Sequence, residues 1–255
     1  MYFARYKPLL EQHTLQELTE SSQLQLAKSD HLSSYYTPFE YINLDAKVVL
    51  VGITPGRVQW QNALQSSQQA LQQGLNNDAV LAYAKQYAAF SGPIRNNLVK
   101  ILNHIGLHDK LAIHSTAALF HESQHLVHMT AVLPHAIFLK GKNYNGTSPN
   151  MLKNAFLYQH IEHYFLPQIQ ALPRALYIPL GQSVIDVLLH LSNLGYLKAE
   201  QILQGFPHPS GANAERIQYF LGLKQRADLS RVTDPVKIDQ AKNQLMQQMQ
   251  DLQFK

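Results

Sequence analysis

The sequence predicts an α/β fold: a three-layer sandwich with a central, mainly parallel, four-stranded sheet flanked by helices. Three observations predict it. Four short apolar runs, at 46–52, 126–133, 175–179 and 202–206, read as buried strands. Segments of helical periodicity separate them, which is the pattern of strand–helix–strand crossovers. Each run ends in a loop of turn-forming or polar residues, the place where ligands bind in such folds.

Taken in order, residues 1–40 read as an N-terminal helical extension, with Leu9, Leu10, Leu15 and Leu18 near helical spacing, followed by a loop. Residues 46–52 (AKVVLVG) form the first strand and run into ITPGR. Residues 60–90 are polar and rich in Gln and Ala, which suits helix. Residues 93–106 place Ile94, Leu98, Ile101, Leu102 and Ile105 on one helical face, with proline at the start and glycine at the stop. Residues 126–133 (LVHMTAVL) form the second strand. A loop with Gly141, Asn143, Asn145, Gly146 and Pro149 follows, then a helix over about 150–168. Residues 175–179 (ALYIP) are the third strand, and Gly181 opens the next helix. Residues 202–206 are the fourth strand and lead into PHPSGAN. A last amphipathic helix spans 235–252 within a C-terminal segment 235–255. There is no repeat and no Gly- or Pro-rich linker, so the reading is one domain over 1–255.

The 255 residues are enough for a substantial core, and 45% are hydrophobic. The chain has no cysteine, which excludes disulfides, thiolate metal sites and cysteine nucleophiles, and suits a reducing cytoplasm. The N-terminus has no long apolar run, so neither a secretory signal nor a membrane anchor is expected. The net charge of +4 and a pI near 9.1 permit a nucleic-acid partner without requiring one. The stretch 121–125, HESQH, matches the spacing of zinc peptidases, in which both histidines and the glutamate lie on one helix. A strand pattern begins at the next residue, so a polar helix end or loop is the better reading, and no metal or other cofactor is expected.

The loops after the four strands converge on one end of the expected sheet. VVLVGITPG, followed much later by GFPHPSGAN, resembles the two signature motifs of the uracil-DNA glycosylase superfamily. Between them, Phe90-Ser91-Gly92-Pro93 resembles the family's F-S-x-P segment. LVHMTAV sits where the family carries its base-reading strand, and ALYIPLGQS resembles its third strand and glycine turn. The resemblance covers residues 46–222 in the family's order. It is nearest to the single-strand-selective and mismatch-directed branches, whose first motif ends in Pro-Gly.

The resemblance implies hydrolysis of the N-glycosidic bond of a flipped-out uracil or another damaged or modified pyrimidine, leaving an abasic site, with single- or double-stranded DNA as partner and a monomeric enzyme. It implies that His208 donates a hydrogen bond to the departing base and that Thr54 stands at the position that handles water. Phe90 would stack on the base, with Thr130 and Ile53 beside it and Asn143 and Asn145 within reach. Pro55, Gly56, Arg57, Ser210, Gly211 and Asn213 would meet phosphates. Three residues depart from the pattern. Thr54 stands where the family has Asp or Asn, Thr130 aligns with the base-reading Asn, and Ala212 replaces a bulky wedge. These departures leave room for a bulky modified base, as in phage DNA, or for a catalytically silent nucleic-acid-binding relative.

Overall fold

A computed structural model describes residues 2–90 and 92–254. In chain order the elements are α1 (Tyr2–Gln12), α2 (Leu15–Glu20), β1 (Gln25–Ser29), β2 (Leu32–Tyr35), β3 (Val48–Gly52), α3 (Arg57–Gln72), α4 (Asn77–Ala88), α5 (Pro93–His104) and α6 (Leu107–Lys110). After these come β4 (Val127–Ala131), β5 (Ala136–Leu139), β6 (Lys142–Asn143), α7 (Ala155–His160), α8 (Leu166–Ala171), β7 (Leu176–Pro179), α9 (Gln182–Asn193), α10 (Ala214–Phe220) and α11 (Pro235–Asp251). The fold is mixed α/β. It separates into two compact units, one of residues 2–44, 51–90 and 129–173, the other of 45–50, 92–128 and 174–254.

The central sheet differs from the sequence expectation. It has three strands in the order β4-β3-β7, not four. The run at 202–206 forms no strand among the described residues; a parallel bridge joins Ile202 to Tyr177, and the Leu203 N–H donates to the Tyr177 carbonyl. The ladder stops there for a local reason. Gly205 turns the chain at φ +115°, and Pro207 and Pro209 bring no N–H to extend it.

The first unit carries a second sheet that the sequence reading missed. Four strands run antiparallel in the order β1-β2-β5-β6. Residues 25–35, expected as loop, form a hairpin, and 136–143 supply the other two strands. The strands are two to five residues long and too brief for a period-2 pattern to stand out. The unit's core gathers Phe3, Leu10, Leu18, Leu24, Tyr36, Trp60, Leu64 and Phe138. Trp60 donates its indole N–H to the Tyr36 carbonyl at 2.8 Å, so the largest buried ring leaves no polar atom unmet.

Helix ends follow their sequence signals. Thr14 and Glu17 form a reciprocal cap on α2. Asn76 and Asn154 cap α4 and α7 through their side chains, and Asp234 caps α11 ahead of Pro235. The helix expected over 150–168 begins at Ala155, where Asn154 caps it. It passes through one π-turn at Ile161–Phe165 and ends at Ala171. The polar stretch 60–90 is two helices, broken at Gly74, whose φ of +74° ends α3. Among the described residues no helix is long and apolar enough to cross a membrane.

Candidate functional site

The residues singled out in the sequence divide between the two units. In the first unit, β3 delivers Ile53, Thr54, Pro55, Gly56 and Arg57. The Ile53 carbonyl accepts the Leu133 N–H at 3.0 Å, fixing the loop's start. The Thr54 hydroxyl donates to the His135 carbonyl at 2.9 Å and accepts the Ile137 N–H at 3.1 Å. Its one proton and one lone pair are therefore committed to the backbone. One lone pair remains to accept from a water, and no basic group is offered.

Asn143 works on the same loop. Its side-chain oxygen accepts the Arg57 N–H at 3.0 Å, at the first turn of α3. Gly56 lets it come close, because a Cβ there would stand 3.2 Å from the Asn143 amide nitrogen. Arg57 folds back, donating to the Gly141 carbonyl at 3.0 Å with its guanidinium 4.5 Å from the centre of the Phe138 ring. Asn145 is occupied locally, accepting the N–H and hydroxyl of Thr147 in an exposed turn.

Phe90 is the most unusual backbone position of the set. It is a bulky residue at φ +50°, a conformation that costs about 1–3 kcal/mol and persists only when its surroundings impose it. Its ring lies against Gly52 at the end of β3, where a Cβ would meet ring carbon Cε1 at 3.2 Å and the Thr130 carbonyl at 3.8 Å. The absence of a side chain at Gly52 thus creates the ring's seat. Ser91, the second residue of the F-S-G-P segment, lies outside the described residues.

Thr130 is buried in β4 and bonds Gln168 at 2.8 Å. The direction of that bond follows from the partners. The Gln168 amide nitrogen donates to the Tyr164 carbonyl at 2.8 Å, so its oxygen faces Thr130, and the hydroxyl must be the donor. Any further contact to the Thr130 oxygen must come from a hydrogen-bond donor. Sequence reasoning missed Gln168. An unremarkable Gln in a helix gives no signal until its partner is known.

His135, whose carbonyl accepts the Thr54 hydroxyl, is itself buried. It is 3% exposed, and its Nδ1 accepts the Thr37 N–H at 3.2 Å. The rings of Tyr36 and Tyr164 pack around it. Burial, helped by nearby His160, pushes its pKa down to about 3. Unfolded, the side chain titrates near 6.5. The unfolded chain therefore binds the extra proton first, and stability falls as pH drops from about 6.5 towards about 3, by up to about 1.4 kcal/mol per pH unit. His135→Gln keeps an acceptor for Thr37 and removes the titration. Urea midpoints taken between about pH 6 and pH 4 are expected to vary less with pH in this variant than in the parent.

In the second unit, His208 lies partly buried after the Tyr177–Ile202 bridge. Its Nδ1 accepts the Ser210 N–H at 3.1 Å. A nitrogen that accepts carries no proton, so in the neutral ring the proton sits on Nε2. Burial lowers the pKa of the ring and favours this neutral form. Gly181, at φ +111°, gives the imidazole room, because a Cβ there would lie 3.1 Å from His208 Cδ2. Asn97 holds the loop by donating to the Pro209 carbonyl at 2.9 Å. Asn213 donates to the Ser210 hydroxyl at 3.2 Å and accepts from Arg216 at 2.9 Å. Gly211 and Ala212 are exposed beside them.

The HESQH stretch does not form the helix that a zinc peptidase needs. His121 ends one short 3-10 turn, Gln124–Leu126 forms another, and β4 begins at Val127. Glu122 instead lies 3.7 Å from His114, both exposed. Among the described residues no three His, Asp or Glu side chains are grouped to hold a metal ion.

No protein-family model matches the chain. The uncharacterized protein YoxB of Bacillus subtilis (strain 168) is 35% identical over 205 residues, which are 80% of this chain and 80% of YoxB. Among solved structures, that of wild-type SMUG2 from Pedobacter heparinus is similar with a TM-score of 0.45 at 13% identity, covering 82% of this chain and 93% of that one.

Proposed function

The chain belongs to the family of Bacillus subtilis YoxB, and we propose that it is a DNA glycosylase. It hydrolyses the N-glycosidic bond of a flipped-out uracil or other modified pyrimidine without a metal. The C1′–N bond breaks with its electron pair passing to the base, water supplies the oxygen that ends on C1′, and the proton released from that water ends on the departed base anion. The observation that carries this reading is the state of His208. An imidazole that is neutral, protonated on Nε2 and fixed by the Ser210 N–H is a donor suited to the negative charge growing on the base.

Phe90, only 9% exposed and held against Gly52 in a strained conformation, is the ring on which an extruded base would stack. Thr130 presents acceptor lone pairs and so favours a base that offers a donor. Pro55 and Gly56 in the first unit, and Ser210, Gly211 and Asn213 in the second, each offer groups suited to phosphates. Asn143 acts here as a positioning residue for the loop rather than as a base contact. Thr54 keeps the loop in place and has one lone pair for water.

The commitment of the Thr54 hydroxyl to two backbone groups favours a second reading, a relative that binds nucleic acid without cutting it. One experiment separates them. Single- and double-stranded oligonucleotides carrying uracil, hydroxymethyluracil or bulky modified cytosines are incubated with excess protein, with and without chelator, then treated with alkali. Breaks at one base, unaffected by chelator, establish the glycosylase and name its substrate. Binding with no break on any probe establishes the silent relative. On the cleaved probe, Gly181→Ala is expected to lower the single-turnover rate by about tenfold or more, because the new methyl displaces His208 from its seat.

A further inference from the structure

Half of the fourteen lysines of this chain are held by polar partners. Lys7, Lys198, Lys224 and Lys237 meet carboxylates, and Lys85, Lys110 and Lys242 donate to backbone carbonyls. One end of the antiparallel sheet is different. Lys28, His31, Arg57, Lys140 and Lys142 are all exposed there, and among the described residues none meets a carboxylate, Arg57 donating instead to the Gly141 carbonyl. Asp30 is the one acid in the two turns.

The grouping is built into the fold. The β1–β2 turn and the β5–β6 turn lie side by side, stitched by a bond from the Lys140 N–H to the His31 carbonyl at 2.7 Å. Lys140 at φ +50° and Gly141 at φ +75° form the tight two-residue hairpin connection that suits strand twist. Lys140 occupies a left-handed position that Asn or Gly would fill with less strain, so a cation stands where the backbone would prefer another residue. Arg57 ties this end to the loop after β3 through Gly141 and Asn143. Four strands about 4.8 Å apart span roughly 14 Å, along which one DNA strand carries about four phosphates.

We infer that this sheet end is a phosphate-tracking surface. It carries nucleic acid away from the loop 53–57 along the two hairpin turns, through Lys28, His31, Lys140 and Lys142 as well as Arg57. The inference rests on the glycosylase reading for its partner. The surface reads no sequence; it sets register and raises affinity for any strand.

The test is the salt dependence of binding to a fluorescent duplex, followed by anisotropy for the parent, the double variant Lys140→Asn/Lys142→Gln, and the control Lys198→Gln. Asn keeps the left-handed turn, and circular dichroism verifies that each variant is folded. The slope of log affinity against log salt is expected to shrink by about 1.8 in the double variant, two phosphates at about 0.9 each, and to stay unchanged in the control. An unchanged slope in the double variant, with the parent releasing a base, overturns the surface alone. A slope that depends on the two lysines, with no base released from any probe, supports the surface and overturns the glycosylase reading. Failure of the parent to bind DNA overturns both.

Discussion

Replacing His208 with alanine is expected to lower the single-turnover rate of base release by about 10²- to 10³-fold, the loss seen when one preorganised donor to a developing anion is removed. The fold should survive. His208 is partly exposed, and its ring accepts a hydrogen bond from the Ser210 N–H. Thermal midpoints of parent and variant should differ little, so lost activity cannot be read as lost protein. Glutamine at 208 supplies a side-chain N–H but lacks the fixed ring, and should recover only part of the rate.

The pH profile gives an independent check. Burial lowers the His208 pKa, so the neutral donor persists below the ordinary value of about 6.5. The rate should hold through neutrality and fall only on the acid side, as pH drops through the depressed pKa. An acid limb above about pH 6.5 would contradict the assigned state. A rate in His208→Ala within a factor of about three of the parent would remove His208 from the chemistry, since one hydrogen bond to a charged group contributes about 1.5–3 kcal/mol.

The largest expected effect on stability comes from Gly205→Ala, at about 4 kcal/mol. Two costs add. The residue sits at φ +115°, a region that L side chains rarely adopt, worth about 1–3 kcal/mol. A methyl there would also lie 2.6 Å from the Ala241 carbonyl and 3.2 Å from Leu245 Cβ, an overpacking worth about 1–3 kcal/mol. Helix α11 cannot easily move aside. Gln248 fixes it by donating to the carbonyls of Glu200 and Ile202. The expected fall in Tm is about 10 °C for a chain of this size. Gly195→Ala is the control. Its φ is +83°, but nothing lies within 4 Å of the new methyl, so only the backbone cost applies. Equal losses in the two variants would show that the clash with α11 is not real.

The parts of the fold that were legible in the sequence are those in which one short stretch carries the whole signal. Val48 to Val51 are uniformly apolar and buried, as a strand covered on both faces must be. QSVIDVLLHL has clean helical periodicity, and Asp234-Pro235 announces α11. The second sheet was illegible because its strands are short and its pairings distant. Leu32 meets Leu139 and Ser33 meets Phe138, more than a hundred residues away, and no local pattern encodes that. The site divides the same way. His208 and Phe90 stood out as motif residues, whereas their supports did not. Gly52 and Gly181 matter for the side chains they lack. Gln168 and His135 matter through partners that only the folded chain brings near. Thr54 looked like a candidate for handling water, and only the fold reveals how much of its hydroxyl the backbone already uses.

Among the described strands the antiparallel sheet ends at β1 and β6, and a sheet border is where another chain can add. Both are ill suited to it. The pairing of β1 slips by one residue between Gln25 and Ala27, which breaks a regular edge, and Lys28 projects from it. Strand β6 is only two residues long, and one of them is Lys142. A neighbouring copy would have to bury a lysine charge for a ladder too short to compensate. The side chains that give this end its positive charge therefore also oppose edge-to-edge pairing of two copies.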